Sequence, residues 1–218
     1  MDNKIQSKVL SVNSVTDSAY TLRIERNGFE FKAGQYLVLS MPGERKAREY
    51  SIYSSETDDF IELLIKEVEP GEMSHQLKYL KVGTKVEISG PFGFFILKND
   101  VIDSKQPIIF VATGTGISPF RSIIRSNPAL DYTILHGVRY KSEAYHKTDY
   151  VPERYKLCSS RENGIGYKGR VTDYIAENGI NPNALYFLCG NSAMVNEVSE
   201  MLEERGLPAG NIKTEIFF

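Results

Sequence analysis

The sequence has 218 residues, of which 41% are hydrophobic and 25% charged, with a formal net charge of −2. These totals are those of an ordinary globular protein with one large or two modest domains. A near-neutral charge without a basic stretch interleaved with aromatics argues against a nucleic-acid-binding protein. No apolar run reaches membrane-spanning length and the N-terminal residues lack a signal-peptide core, so we predict a cytoplasmic protein that binds no membrane.

Cysteine and histidine are too sparse for a metal site. The two cysteines, Cys158 and Cys189, cannot form an iron–sulfur cluster or a structural zinc site, so any such cluster must belong to a partner. The histidines, His75, His136 and His146, have no ligand spacing, and each is interpreted as a surface or packing residue. We predict no metal ion.

The first half of the chain is a series of short strands separated by turn pairs such as Asn27-Gly28 and Val82-Gly83. Strands are predicted at Lys8–Val12, Tyr20–Glu25, Tyr36–Ser40, Glu49–Tyr53, Phe60–Val68 and Lys85–Ile88, with one short helix at about Ser74–Leu80. This density of short strands predicts a closed antiparallel barrel.

Three places in this half carry more polar and glycine detail than a barrel needs. One is the glycine- and aromatic-rich segment Gly90–Phe95, for which a plain turn leaving the barrel is the alternative. Alternation puts Arg48 and Tyr50 on one face of a strand, where a guanidinium suits a phosphate and a ring can lie on a conjugated ring system. A surface strand with a cross-strand ion pair would explain the same residues. The Gly71–Ser74 stretch opens the short helix, either as a phosphate site or as a simple N-cap.

After a polar link at about Lys98–Gln106, the second half alternates strands with helices, which predicts a parallel, doubly wound sheet. Strands are predicted at Ile108–Ala112, Tyr132–His136, Tyr155–Ser159, Leu185–Cys189 and Ile212–Phe217, and helices at Ser118–Ser126, Glu143–Lys147, Val171–Asn178 and Ala193–Arg205. Ligands collect at the carboxyl ends of such strands.

The first of these strands leads into the glycine turn Thr113–Gly116 and then into Ser118-Pro119, which is a typical helix start. A strand, a glycine turn and a helix N-terminus together favour an anion such as a pyrophosphate. The spacing is GxG rather than GxGxxG, so a plain strand-to-helix turn stays an alternative.

Basic residues follow the second and third strands of this half. Arg139 comes after one strand, and Ser160, Arg161, Lys168 and Arg170 come after the next. A 2′-phosphate carries roughly two negative charges, so a cluster of cations at neighbouring strand ends would select NADPH over NADH. A solvated loop with ordinary surface cations is the alternative.

These motifs, in this order, resemble the ferredoxin–NADP reductase family over nearly the whole chain, most closely its bacterial ferredoxin/flavodoxin–NADP reductases. The resemblance implies an FAD-binding antiparallel β-barrel at residues 1–100, an NADP-binding parallel-sheet domain at residues 101–218, and an active site between them. It implies FAD contacts from Arg48, Glu49, Tyr50, Ser51, Ile65, Gly71, Met73, Ser74, Phe217 and Phe218. It implies NADP(H) contacts from Thr113, Gly114, Thr115, Gly116, Arg139, Ser160, Arg161, Lys168, Arg170, Cys189, Gly190, Asn191 and Met194.

The resemblance also implies roles at the reacting centre. Ser51 would approach flavin N5, Cys189 would orient the nicotinamide without acting as a nucleophile, and Glu215 would be a proton relay or nicotinamide contact. Phe217 would stack on the flavin and yield its place to the nicotinamide, with phenylalanine where relatives usually carry tyrosine or tryptophan. Phe218 would lie near the FAD adenine or pack against the protein.

The sequence therefore predicts a monomeric flavoprotein that transfers hydride between NADP(H) and FAD and exchanges single electrons with a ferredoxin or flavodoxin. One alternative is an NAD(P)H:flavin reductase that uses flavin as a substrate. A second is a reductase or assembly subunit of a multicomponent oxygenase, without a cluster of its own.

Overall fold

The computed structural model describes residues 4–68, 72–162 and 166–217. Backbone packing divides the chain into two units, of which the first contains the residues up to Ile96 together with Ser118–Asn127. The second contains Leu97–Ile117 and the chain from Pro128 onward. By this division the helix at Ser118–Ser126 packs with the first unit, and the domain boundary at residue 100 stays a prediction.

The first unit is a six-stranded antiparallel sheet in the order β4-β3-β6-β1-β2-β5. Its strands are β1 (Ile5–Ser14), β2 (Ala19–Glu25), β3 (Tyr36–Ser40), β4 (Ala47–Ser51), β5 (Phe60–Lys66) and β6 (Lys85–Phe92). A bridge between Ile52 and Leu63 joins the end of β4 to β5, and the Tyr53 N–H donates to the Glu62 carbonyl over 2.8 Å. The two outer strands therefore meet, which closes the predicted barrel.

Alternate residues of these strands fill the barrel. Leu22, Ile24, Leu39, Ile61 and Leu63 are all inaccessible to solvent, as expected for the inward face of a closed antiparallel sheet. Helix α1 (Glu72–Lys78) adds Met73 and Leu77 to this core. The barrel and α1 thus share one hydrophobic core.

The second unit is a six-stranded parallel sheet in the order β10-β9-β8-β7-β11-β12. Its strands are β7 (Ile108–Thr113), β8 (Tyr132–Val138), β9 (Tyr155–Ser159), β10 (Tyr167–Lys168), β11 (Leu185–Asn191) and β12 (Ile212–Phe217), and its helices are α2 (Asn99–Ser104), α4 (Val171–Asn178) and α5 (Ser192–Glu204). From β7 the chain adds strands first on one side and then on the other. The order therefore reverses between β7 and β11.

Apolar residues on both faces explain why this sheet is buried. Val111, Leu135 and Leu188 pack with α4 and α5, whereas the rings of Phe110 and Phe187, with centroids 5.8 Å apart, pack on the opposite face. Strands buried on both faces read as continuous apolar runs, which is the pattern that predicted them.

Helix α3 (Ser118–Ser126) has the predicted bounds, and polar side chains hold it on the barrel. The Ser122 hydroxyl donates to the Ser54 carbonyl over 2.7 Å, and Arg125 donates twice to the Asp58 carboxylate, over 2.8 and 3.1 Å. Ser122 and Arg125 therefore help to hold α3 in the first unit.

The predicted helix at Glu143–Lys147 is wrong. The chain forms two short 3-10 turns there, Lys141–Glu143 and Lys147–Asp149. His146 between them has a φ of 45°, in the left-handed region that an α-helix cannot contain. Among the described helices, none has both the length and the apolar character needed to cross a bilayer.

Candidate functional site

The carboxyl ends of β7 and β11 approach each other backbone to backbone, at the point where the strand order reverses. The predicted glycine turn is a 3-10 turn, Gly114–Ile117, that follows β7. A Cβ atom on Gly116 would collide with the Cys189 carbonyl, and one on Gly190 would collide with the Thr113 hydroxyl. Glycine is required at both positions because any side chain would separate the two strand ends.

Hydrogen bonds lock this pair of strand ends. The backbone and side-chain amides of Asn191 donate to the Thr113 hydroxyl over 3.2 and 3.0 Å. The Asn191 side-chain oxygen accepts from the Met194 N–H over 2.9 Å and so caps α5. The Met194 side chain is buried in the core of the unit. The structure thus brings together the predicted nucleotide residues Thr113, Gly114, Thr115, Gly116, Cys189, Gly190, Asn191 and Met194.

Cys189 is fully buried, and burial and then the charge of Glu215 raise the pKa of its thiol well above the ordinary value. Glu215 is its neighbour in register on β12. A thiol that resists ionisation is a poor nucleophile. Orientation of a nicotinamide by Cys189 stays a prediction.

The last described residue, Phe217, is half-buried and pairs in register with Asn191. Glu215 and Phe217 therefore reach the same edge of the sheet as the glycine turn. Stacking of Phe217 on a flavin and the proton-relay role of Glu215 stay predictions. Phe218 lies outside the described residues.

The predicted 2′-phosphate residues lie at the carboxyl ends of β8, β9 and β10. The Arg161 N–H donates to the Arg139 carbonyl over 3.1 Å, and the Ser160 N–H donates to the Val138 carbonyl over 3.0 Å. Lys168 is on β10, paired with Ser159, and Arg170 precedes α4. Three neighbouring strand ends therefore carry Arg139, Ser160, Arg161, Lys168 and Arg170, all exposed.

Backbone N–H groups donate to two carboxylates that are close to these cations along the chain. Glu143 is buried and accepts from the N–H groups of Arg139 and Tyr140 over 2.8 and 3.1 Å, and Glu162 accepts from the Lys141 N–H over 2.7 Å. In the described part of the chain, Arg139, Arg161, Lys168 and Arg170 form no ion pair. Their charge is available to an anion.

On the barrel, the predicted flavin residues Arg48, Tyr50 and Ser51 lie on β4. Arg48 is exposed, and its one hydrogen bond among the described residues goes to the Ala47 carbonyl, over 2.9 Å. Tyr50 is half-buried, and burial raises its pKa to about 12, against a smaller lowering by Arg48. Arg48 thus has no carboxylate partner among the described residues, and it lies beside a ring whose hydroxyl stays protonated.

The short helix α1 begins close to β4, because its first residue, Glu72, forms an ion pair with Lys46. The Tyr20 hydroxyl donates to the Ser74 carbonyl over 2.5 Å, and the Ser74 hydroxyl accepts from the Val68 N–H over 3.2 Å. Tyr20 was not predicted as a site residue, since a buried tyrosine in a strand reads as core.

The remaining predicted flavin residues are dispersed. Met73 and Ile65 lie in the barrel core, and Glu49 is exposed on β4. Gly71 lies outside the described residues. The two stretches that the structure does bring together in the first unit are Arg48–Ser51 and the start of α1.

Sequence reasoning missed His136. It is fully buried on β8, with Nε2 2.9 Å from the Gly114 carbonyl oxygen and Nδ1 2.6 Å from the Tyr155 hydroxyl. A lone histidine in an apolar run gives no signal beyond packing, and only the fold brings Gly114 and Tyr155 to it.

Comparison with known proteins agrees with this geometry. A protein-family model described as an oxidoreductase FAD-binding domain matches residues 4–96, and one described as an oxidoreductase NAD-binding domain matches residues 110–200. The flavodoxin/ferredoxin–NADP reductase of Shigella flexneri is 30% identical in an alignment of 227 positions that covers 90% of this chain and 89% of that protein. The chain belongs to the ferredoxin–NADP reductase family. It is an FAD- and NAD(P)-dependent oxidoreductase.

The family also includes components of oxygenase systems. The toluate 1,2-dioxygenase electron transfer component of Pseudomonas putida is 30% identical in an alignment of 231 positions that covers 97% of this chain and 67% of that protein. Among solved structures, a ferredoxin NADP+ reductase from Neisseria gonorrhoeae with bound FAD and NADP has a TM-score of 0.88. It covers the whole of both chains at 22% identity, so this likeness shows the shared fold.

The residues present fit the two cofactors of the family. The glycine contacts at Gly116 and Gly190 set the ends of β7 and β11 against each other at the reversal of strand order, where such sheets bind dinucleotides, and the exposed cations beyond β8 and β9, which have no ion pair among the described residues, suit a further phosphate. On the barrel, Arg48 offers its fork to a diphosphate, and Tyr50 offers a ring face.

Proposed function

We propose that the protein oxidises NADPH and passes the electrons, one at a time, to a ferredoxin or flavodoxin. The cluster of exposed cations at the ends of β8, β9 and β10 carries this proposal. Arg139 and Arg161 are joined through their backbones, and backbone N–H groups bind the neighbouring Glu143 and Glu162 carboxylates. Such a site increases the affinity for a nucleotide with a 2′-phosphate, and it adds no affinity for NADH, which lacks that group.

The proposed roles of the chain's residues follow from their positions. Arg48 binds the FAD diphosphate, Tyr50 contacts the flavin ring, and the turn after β7 receives the NADPH pyrophosphate. Bound FAD supplies the chemistry, since it takes two electrons as hydride from a nicotinamide and releases them singly. The protein contributes geometry and charge, with Ser51, Cys189, Glu215 and Phe217 proposed at the reacting centre.

A one-electron carrier is proposed as acceptor because relatives named for ferredoxin or flavodoxin are 26% to 30% identical over 90% or more of this chain. We propose that the enzyme acts in the cytoplasm as a monomer. An oxygenase system is the second candidate, and the relative from Pseudomonas putida favours it. In that case the chain needs a separate iron–sulfur protein, because it has two cysteines, both buried.

The first test is an absorption spectrum of the desalted protein, followed by anaerobic titration with NADPH and, separately, with NADH. Yellow protein that NADPH bleaches much faster than NADH would support the proposal. Equal bleaching by both nucleotides would contradict the 2′-phosphate site. Colourless protein that turns over only with added flavin would favour a flavin reductase instead.

The second test identifies the acceptor. Steady reduction of a flavodoxin or a ferredoxin by NADPH and the isolated chain would support the main proposal. Turnover that appears only when a terminal oxygenase is added with its iron–sulfur protein would favour the second candidate.

A further inference from the structure

The glycine turn after β7 has a hydrogen-bonded support beneath it. His136 on β8 lies in register with Ala112 on β7, and its Nε2 is 2.9 Å from the Gly114 carbonyl oxygen. Its Nδ1 is 2.6 Å from the hydroxyl of Tyr155 on β9. Three neighbouring strands thus contribute one chain of hydrogen bonds that ends on the turn.

Within the turn, Gly114 is a residue whose surroundings would not clash with a side chain. Its φ is 53°, and a Cβ atom placed on it would meet no atom within 4 Å. A glycine without Cβ contacts gains no support for its peptide orientation from side-chain packing, so this orientation depends on the backbone of the 3-10 turn and on hydrogen bonds. The bond from His136 adds to the turn geometry in holding the Gly114 carbonyl.

The proton positions follow from the partners. A carbonyl only accepts, so Nε2 of His136 carries the proton and donates to Gly114. Nδ1 of the neutral ring then accepts from the Tyr155 hydroxyl. Burial lowers the pKa of His136 to about 4, with smaller opposing effects of the Gly114 carbonyl and Glu143, so the ring is neutral at ordinary pH. Tyr155 thereby fixes the tautomer that Gly114 needs.

We propose that His136 and Tyr155 are positioning residues that hold the Gly114 carbonyl toward β8, so that the turn receives the pyrophosphate of the nicotinamide dinucleotide. A carbonyl oxygen turned toward the ligand would instead place negative charge against a phosphate. The inference rests on the proposed use of NADPH and adds a residue pair to its binding site.

The test compares two ligands of each variant by equilibrium titration. NADP+ contains the pyrophosphate, whereas adenosine 2′-phosphate contains the adenosine and 2′-phosphate without it. His136→Asn shortens the side chain, so its amide cannot reach Gly114, whereas the amide of His136→Gln extends to the Nε2 position. We expect the Kd for NADP+ to rise about tenfold in His136→Asn and to stay near the original value in His136→Gln.

The affinity for adenosine 2′-phosphate should be the same in all of these proteins. Tyr155→Phe should weaken NADP+ binding less than His136→Asn, because His136 remains but its tautomer is no longer fixed. Tyr132→Phe is the matched control, since Tyr132 is a buried tyrosine of β8 whose hydroxyl accepts from the Val151 N–H, away from the turn.

Equal weakening of both ligands in His136→Asn would overturn the inference, because it would show general damage to the unit. Equal effects of asparagine and glutamine would also overturn it. A failure of the proposed function is distinguishable, since the unaltered protein would then bind NAD+ as well as it binds NADP+.

Discussion

Arg121 on α3 donates from its Nη1 atom to Oε2 of Glu62 on β5 over 3.0 Å, and both side chains are buried. The same nitrogen donates to the Tyr53 carbonyl over 2.9 Å, and the guanidinium lies 4.1 Å from the centroid of the Tyr53 ring. The other Glu62 oxygen accepts from Arg23 over 2.6 Å. One buried carboxylate therefore joins a helix and a barrel strand.

Replacement of Arg121 by methionine should lower the free energy of unfolding by ~3 kcal/mol, because a buried carboxylate loses one of its two cations. Urea denaturation followed by circular dichroism measures the change. Arg23→Gln is the control, since Arg23 is 41% exposed and the pair should contribute ~1 kcal/mol or less. Similar losses of unfolding free energy in both variants would mean that the buried ion pair contributes no more to stability than the exposed one.

Arg161→Gln should lower kcat/KM for NADPH by about 10- to 100-fold, the worth of a charge-assisted hydrogen bond to a phosphate, and leave kcat/KM for NADH unchanged. Steady-state kinetics with a dye acceptor and both nucleotides measures this. Lys213→Gln removes an exposed cation from β12, on the other edge of the same sheet, and should change neither value. A parallel loss with NADPH and NADH would place Arg161 outside the 2′-phosphate site.

Arg48→Gln should weaken FAD binding about 10-fold or more, because a neutral amide replaces the cation that we propose binds the diphosphate. The flavin content after gel filtration at rising salt measures the effect. Arg45→Gln removes an exposed cation three residues earlier and should keep its flavin. Full flavin retention in Arg48→Gln would contradict the assignment.

His136 should make stability pH-dependent. In the unfolded chain it takes up a proton below a pH of about 6.5, whereas in the fold burial holds its pKa to about 4. Between these values the unfolded state binds more protons, so this contribution to stability is present at neutral pH and is lost as pH falls toward 4. Over the pH range between the two pKa values, His136 changes the free energy of unfolding by ~3 kcal/mol.

A comparison of wild type with His136→Gln at about pH 7.5 and about pH 4.5 isolates this contribution, since the variant lacks it. The pKa values of Glu67 and Glu72, lowered by Lys78 and Lys46, shift acid stability in the same direction in both proteins. The wild type should lose ~2 to 3 kcal/mol more than the variant over this range. Equal losses would show that His136 titrates normally in the fold.

Patterns with strong local causes were predictable from the sequence. Tyr36–Ser40, Tyr155–Ser159 and Ile212–Phe217 have the predicted bounds, because each is a β-rich run and the first two end at turn residues or at a change of pattern. The turn at Gly114 and the helix start at Ser118 were predictable for the same reason, since glycine and a Ser-Pro pair act locally.

The elements that the sequence did not predict lack such causes. Helix α2 buries none of its side chains and has Lys98 as N-cap without a side-chain cap, so its residues read as a polar link. Strand β10 is two residues long and exists through its pairing with β9. The assignment of α3 to the barrel depends on the long-range partners of Arg121 and Arg125, which no local window contains.

Some features of the candidate site have a local sequence pattern, and others arise only from the fold. Glycines and clustered cations have a recognisable pattern, so the turns at Gly116 and Gly190 and the exposed cation Arg161 stand out in the sequence, while their binding of a nucleotide stays a prediction. His136 and Tyr155 are 19 residues apart and become partners through the order of β8 and β9. Their connection to Gly114 belongs to the topology and has no sequence pattern of its own.

The main chain passes between the two units at residues 96–97, 117–118 and 127–128. A recombination event that exchanged gene segments at residue 100 would therefore separate Glu62 and Asp58 from Arg121 and Arg125. The hybrid would join a barrel to a helix that had adapted to another barrel. The two halves of the gene are therefore not fully interchangeable. The nine-residue helix α3 is encoded in the second half of the gene, but its sequence must evolve together with the barrel encoded in the first half.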